Sequence, residues 1–454
     1  MSVPPAVAVG ALYDGLLQSA LRQFFERAAL DAEPTPSLSS DGRLAIEPSA
    51  DPFALTIRWF GTRYTLRVSG WPFTPHEVRF ARAIGSVLAA RYRAILNPRV
   101  VAERGVLFRG AIEDRYIGAF LDERGYVVDA LAARADRIAS VIEILRVAAL
   151  SSYENRPIST GVLLLGTPDD PCRPAGGASH VGPAYAESLT GIKSFFRLAD
   201  GVRTVFLANA SGQLLDIIDI ARWSNEVCRG EPGDTPCSKT YQAHAAATVR
   251  HGHVCAVLSP SREIKVFAEG AEVFAFRDAS WHLLDLKAKY DLWARAVGDE
   301  GLALRLFQTA LDLADAREGA LFVVVRQPEL AIPQLVAPAD RLGERAVGSG
   351  GEMSSPSRRD LLQLLGGRTV TDLDETVFSA LATVDGATVM DRTGCLLAAG
   401  AILRHPATEE FEHGGIVEGA RTTAAMTASR FGPVLKVSED GVITFFDGER
   451  VWDI

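Results

Sequence analysis

Residues 159–166 read STGVLLLG and residues 318–325 read EGALFVVV. Each is a short apolar run behind a glycine, of the kind that forms a strand buried on both faces of a sheet. Each follows a stretch with helical spacing. Charged and apolar residues interleave from about 123 to 152, and Leu304, Phe307, Leu311 and Ala314 share one helical face within 301–317. A helix that leads into a buried central strand, found twice, predicts a mixed α/β fold containing two related units.

The similarity continues downstream of both runs. LADGVRTVFLANASGQLLDIIDI (198–220), with Asp200-Gly201, can be laid on ATVDGATVMDRTGCLLAAGAIL (382–403), with Asp385-Gly386, across a gap of about three residues. QAHAAATVRHGHVCAVLSPSREIKVF (242–267) lies on RTTAAMTASRFGPVLKVSEDGVITFF (421–446) without a gap up to the hairpin turn. The first pair reads strand, Gly turn, strand; the second reads Ala-rich helix, then hairpin. This is the pattern of a tandem repeat. The second copy carries an insertion whose core, VGSGGEMSSPSRRD (347–360), reads as a Gly/Ser-rich loop.

Upstream, 11–30 has helical apolar spacing and gives way to a Pro/Ser-rich linker, EPTPSLSSDG (33–42). The alternating runs FALTIRW (53–59) and TRYTLRVSGW (62–71) predict strands, and a helix over about 75–96 starts at Thr74-Pro75. The expected organisation is a small α+β module over 1–100 followed by two related α/β units, over 101–285 and 286–454.

With 48% hydrophobic and 23% charged residues, the chain of 454 residues falls in the globular class rather than among disordered or fibrous proteins. Its net charge of −9 gives no overall reason to bind nucleic acid or anionic lipid. No apolar run approaches the roughly 18–20 residues of a membrane span, and the amino terminus lacks a basic region ahead of its apolar stretch, so a cytoplasmic location is expected. The five cysteines form no Cys-x-x-Cys pair. His251, His253 and Cys255 would share a face of an alternating strand, but without a second ligand cluster they read as surface or core residues, as does His244.

Three short motifs carry the chemistry. Asp-Gly occurs six times and ordinarily marks a turn, but only Asp385-Gly386 continues through Ala387 into a buried strand. An Asp there can ligate a divalent cation, and Gly and Ala leave the backbone open to a nucleotide. Gly419-Ala420-Arg421-Thr422-Thr423 opens an Ala-rich helix, whose first turn suits an anion, with hydroxyl and guanidinium groups as directed donors. Val437-Ser438-Glu439 ends a strand before the turn at Asp440-Gly441.

In this order the motifs resemble those of the diadenylate cyclase (DAC) domain over roughly 300–454. That family joins two ATP into cyclic di-AMP, through an Asp-Gly-Ala motif, a Gly-Thr-Arg-His-Arg-Ala-Ala motif and a Val-Ser-Glu strand end. The resemblance implies a mixed sheet flanked by helices, with Asp385, Gly386 and Ala387 at the catalytic corner. It implies Gly419, Arg421, Thr422 and Thr423 on the phosphates, and Mg²⁺ or Mn²⁺ held by Asp385 and Glu439. It further implies ATP as substrate and a homodimer or larger assembly with facing DAC domains, because each domain holds one ATP. Here the family's Thr-Arg-His-Arg stands as Ala420-Arg421-Thr422-Thr423. Up to two charged donors are absent, each such hydrogen bond being worth about 1.5–3 kcal/mol. The first copy retains Asp200-Gly201 but has Gln242-Ala243-His244 and Leu258-Ser259-Pro260 in place of the other motifs. It resembles the sensor modules found ahead of DAC domains. The alternative expectation is a pseudo-cyclase that binds a nucleotide or cyclic dinucleotide without turnover, and a third is a different nucleotide on the same fold.

Overall fold

A computed structural model describes residues 5–35, 44–47, 50–95, 99, 108–122, 137–153, 155–173, 182–186, 193–228, 233–342, 363–404 and 419–454. The 347–360 insertion lies outside the described residues. So does the first half of the helix expected over 123–152, which is described from Arg137 to Ala149. The chain forms two compact units, Met1–Gly233 with Tyr241–Asp285, and Asp234–Thr240 with Leu286–Ile454. The fold is mixed α/β, as expected.

The first unit opens with a helix, Pro5–Phe24, that buries Tyr13, Leu17, Ala20 and Leu21 on one face. Its apolar spacing suggests a helix to residue 30, but β1 (Ala28–Pro34) begins first, because pairing along its full length with β4 outweighs local helical propensity. Strands β1, β2 (Ala45–Glu47), β3 (Ala54–Trp59) and β4 (Thr62–Val68) make an antiparallel sheet in the order β1-β4-β3-β2. Alternation places Leu55, Ile57 and Trp59 of β3, and Tyr64 and Leu66 of β4, in the core. The helix Pro75–Ile95 starts at a reciprocal cap. The Glu77 amide donates to Thr74 Oγ1 (3.1 Å) and the Thr74 amide to Glu77 Oε2 (2.9 Å).

A short ribbon, β5 (Ser152–Tyr153) and β6 (Arg156–Pro157), precedes the main sheet of this unit. That sheet comprises β7 (Thr160–Leu164), β8 (Thr204–Ala208), β9 (Leu214–Asp219), β10 (Val254–Leu258), β11 (Ile264–Ala268), β12 (Ala271–Arg277) and β13 (Ser280–Leu283). Its order is β13-β12-β11-β10-β7-β8-β9, with β7 and β8 parallel and the other neighbours antiparallel. β7, β10 and β11 are buried at every position, which explains the apolar sequence of β10 and the apolar run of β7; β11 carries one charge, Lys265, which is paired with Glu272. One apolar cluster, including Tyr13, Phe80, Phe120 and Phe274, joins the residues of both sheets.

The second unit holds β14 (Ala320–Val325), β15 (Ala387–Asp391), β16 (Leu396–Ala401), β17 (Val434–Val437), β18 (Ile443–Asp447) and β19 (Glu449–Asp453). Their order, β16-β15-β14-β17-β18-β19, repeats β9-β8-β7-β10-β11-β12, again with only the β14–β15 pair parallel. The hairpin turns match as well. The Arg262 amide donates to the Ser259 carbonyl, as the Gly441 amide does to that of Ser438, both at 2.9 Å. Order, strand sense and turn thus agree with a tandem pair.

The helix Glu300–Ala316 is capped by Asp299, whose carboxylate accepts from the Leu302 amide at 2.7 Å, and it ends at Arg317 in the left-handed conformation. Its buried face is set by Leu302, Leu306, Phe307 and Leu313; Leu304, which spacing alone places on that face, is exposed. The segment Asp234–Thr240 belongs to this unit. The Ser238 hydroxyl bonds the Asp315 carboxylate, the Lys239 amide donates to Asp312 Oδ1 (2.7 Å), and the Lys239 ammonium pairs with Glu375. Among the described residues, no helix is long and apolar enough to cross a membrane.

Candidate functional site

Strand sense brings the three motifs to one end of the second sheet. β14 and β15 run parallel, so Gly319 and Gly386 enter their strands at the same end. β17 runs antiparallel to β14, with Val437 opposite Ala320, so Ser438 and Glu439 leave it there too. The helix Ala420–Ser429 precedes β17 and starts at Gly419.

Arg421 joins the motifs. Its Nη1 donates to Glu439 Oε1 at 2.9 Å, and its Nη2 lies 4.0 Å from Asp385 Oδ1. The Asp385 side chain is 95% exposed, that of Glu439 73% and that of Arg421 38%. Gly319 makes room for the guanidinium: a Cβ there would run into it. Gly386 has φ +112, and a Cβ on it would meet the backbone of Gly400, so only glycine suits this corner. Ala387 is buried and pairs with Ala401.

At the helix start, the Gly419 carbonyl accepts from the Thr422 amide (2.8 Å) and the Thr423 amide (3.2 Å). The amides of Ala420 and Arg421, the first two helical residues, have no intrahelical partner. Thr422 Oγ1 accepts from Lys436 Nζ at 3.0 Å, and Thr423 stands half-buried one residue further along. All eight residues singled out in the sequence therefore cluster around the end of this sheet. Two participants were missed, Lys436 and Gly319. Lys436 was visible as the one charge inside the strand VLKV, and Gly319 as the glycine before the apolar run.

Exposed ion pairs are worth about 0–1 kcal/mol, whereas a hydrogen bond from a charged donor contributes about 1.5–3 kcal/mol. Arg421 is thus tied to its two carboxylates by one charged hydrogen bond and one longer, exposed pairing. Lys436 adds a second cation beside Thr422, which offsets part of the charge absent from the motif.

The corresponding corner of the first unit is arranged differently. Asp200 turns onto its own chain: its Oδ1 accepts the amides of Val202, Arg203 and Thr204 at 2.8–2.9 Å. Burial works against the charge of Asp200, but these amides prevail and hold its carboxyl below the ordinary range. Three residues separate Asp200 from β8, whereas Asp385 is separated from β15 by Gly386 alone. This accounts for two residues of the gap in the alignment. His244, aligned with Thr423, is fully buried and donates Nε2–H to the Gly201 carbonyl at 3.0 Å. Its ring packs on Tyr241 and Phe267, and burial lowers its pKa to about 4, so it is neutral. Beside it, Lys265 and Glu272 form a buried ion pair at 3.1 Å. A buried imidazole thus stands at the position aligned with the half-buried Thr423 of the second unit.

No protein-family model matches the chain, and no curated protein matches it in sequence. Among solved structures, it is similar to a hypothetical membrane-spanning protein from Bacillus cereus, at 18% identity over 33% of this chain, with a TM-score of 0.23. The match spans 61% of that protein's chain. A likeness of this extent carries no argument about function.

Proposed function

We propose that the second unit binds ATP and, paired with a second copy, condenses two ATP into cyclic di-AMP and pyrophosphate, as a diadenylate cyclase. The observation that carries this reading is the meeting of Asp385, Arg421 and Glu439 at one exposed sheet end, from three segments far apart in sequence. Arg421, with Lys436 and the first amides of the 420–429 helix, would hold the phosphates. Gly386 and Ala387 would let the nucleotide approach the backbone.

Asp385 and Glu439 offer only oxygen donors and both reach one guanidinium, so they fit a shared Mg²⁺ or Mn²⁺. Such an ion would supply charge neutralisation on the triphosphate. The ribose 3′-oxygen of one nucleotide forms a bond to the α-phosphorus of the other, its proton passes to solvent, and pyrophosphate leaves with the broken P–O bond. The role of these side chains is to orient the two nucleotides in line. The first unit cannot donate the second nucleotide, because Asp200 is tied to its own backbone and His244 fills the corner. A homodimer follows from this chemistry, with the amino-terminal unit in a sensor role.

A second reading rests on Thr422 and Thr423, which give hydroxyls where the family gives charge: a pseudo-cyclase that binds a nucleotide or cyclic dinucleotide without turnover. Purified chain incubated with ATP and Mn²⁺ or Mg²⁺, then assayed for cyclic di-AMP by mass spectrometry, separates the two. Product that vanishes in Asp385→Asn supports the cyclase. ATP binding without product under either metal supports the second reading. Turnover of GTP, CTP or UTP instead would move the substrate assignment, and absence of any nucleotide binding would overturn all of these.

A further inference from the structure

We infer that the first unit holds a divalent ion of the zinc class on Asp170, Cys172 and His253. The three residues are 5%, 3% and 1% exposed, and their ligand atoms all lie within 4.8 Å of one another. They come from two separate places: a turn after β7 supplies Asp170 and Cys172, and the residue before β10 supplies His253. Spacing in the sequence could not reveal them. Neither residue expected to share a face with His253 belongs to the trio. Cys255 lies within β10, and His251, at positive φ in an exposed turn, packs its ring 5.5 Å from that of His253.

The hydrogen bonds favour a cation. His253 Nδ1 faces the Ala247 carbonyl at 3.0 Å. A carbonyl only accepts, so this nitrogen carries the hydrogen, an assignment made from the network. The other nitrogen, Nε2, then turns a lone pair to Asp170 Oδ2, 2.9 Å away. Two lone pairs do not face each other at this distance without a positive centre, either a proton or a metal ion, and a bound metal would open the contact to about 3.3 Å. Cys172 beside the pair points to a metal instead, since a thiolate suits zinc rather than a proton shared between imidazole and carboxylate.

The outer contacts are those that orient metal ligands. An imidazole bound through one nitrogen commonly donates the other N–H to a backbone carbonyl, as His253 does to Ala247. Asp170 Oδ1 accepts the Cys172 amide at 3.0 Å, which fixes the carboxylate and leaves Oδ2 to the ion. Ligand atoms around a tetrahedral zinc stand roughly 3.3–3.6 Å apart, and the three here lie within 4.8 Å of one another, so side-chain adjustment of about an ångström would close the site. Three side chains leave a fourth position for another donor or a water. The ion would pin the Asp170–Cys172 turn to the entry of β10. It serves a different unit from the proposed nucleotide site and a different chemistry, soft and nitrogenous rather than all-oxygen.

The test is metal analysis of the full-length protein grown with zinc, alongside Cys172→Ser and His253→Gln. The expected result is about one zinc per chain, reduced at least several-fold in both variants. Cobalt exchanged into the wild-type protein should give a thiolate-to-metal charge-transfer band in the near ultraviolet that Cys172→Ser lacks. Should the variants not fold, the wild-type protein alone decides: a strong chelator should lower its melting temperature, and zinc should restore it. Zinc below about a tenth of an equivalent with a melt indifferent to chelator and zinc would overturn the inference. So would a cobalt spectrum without the thiolate band.

Discussion

Arg421 is the residue on which the proposed site turns. Replacing it with alanine removes the bridge between Asp385 and Glu439 and the guanidinium that would meet the phosphates. The surface pairs contribute little to stability, so Arg421→Ala should melt within about 1 °C of wild type. It should weaken ATP binding by about 10- to 100-fold, measured by titration calorimetry. Gly386 should behave in the opposite way. With φ +112 and the Gly400 backbone against its open side, Gly386→Ala should lose about 2 kcal/mol or more in denaturant unfolding, whatever it does to binding. Both residues stand out in the motifs. What the sequence could not show was that Arg421 would reach back to the two carboxylates, because that depends on Gly319, roughly 100 residues away along the chain.

At the scale of elements, strands were more legible than helix ends. STGVLLLG and EGALFVVV announce β7 and β14 because strands buried on both faces admit almost only apolar residues. The first helix was misjudged by several residues at its end, where pairing along β4 claims Ala28 onward. The helix Glu300–Ala316 shows the same limit: its length was readable, but Leu304 fits a helical stripe and still faces out. Its start depends on a local signal, the Asp299 cap. Asp299→Ala should destabilise the second unit by about 1 kcal/mol in thermal or urea melts. Asp299→Ser should recover most of that loss.

At the scale of the whole molecule, two histidines of the first unit set opposite responses to pH. His244 has its pKa lowered by burial to about 4, against an ordinary 6.5. Between those values the unfolded chain takes up a proton that the folded chain refuses, so stability is present above pH 6.5 and lost as pH falls towards 4. The loss approaches about 3 kcal/mol. His76 is raised to about 9 by hydrogen bonds to Asp285 and Glu269, which outweigh its burial. Its contribution is complete below pH 6.5 and is lost as pH rises through 9. Melting temperature should therefore peak near neutral or slightly acid pH. His244→Leu should flatten the acid limb and His76→Gln the alkaline one, each leaving the other limb in place. The repeated strand order was partly visible as shared sequence, but the first unit's closed corner was not, because it depends on how Asp200 and His244 turn.

The strap at Asp234–Thr240 has a practical consequence for anyone cutting this chain in two. A fragment made by cleavage at the obvious junction, after Asp285, would leave behind the serine and lysine that fasten onto Asp312, Asp315 and Glu375. Asp312 would then lose the Lys239 amide and Asp315 the Ser238 hydroxyl, while Glu375 would keep Arg305, and the liberated carboxy-terminal piece should melt earlier than its parent domain. A synthetic peptide spanning 234–240, added in trans, should restore part of the difference.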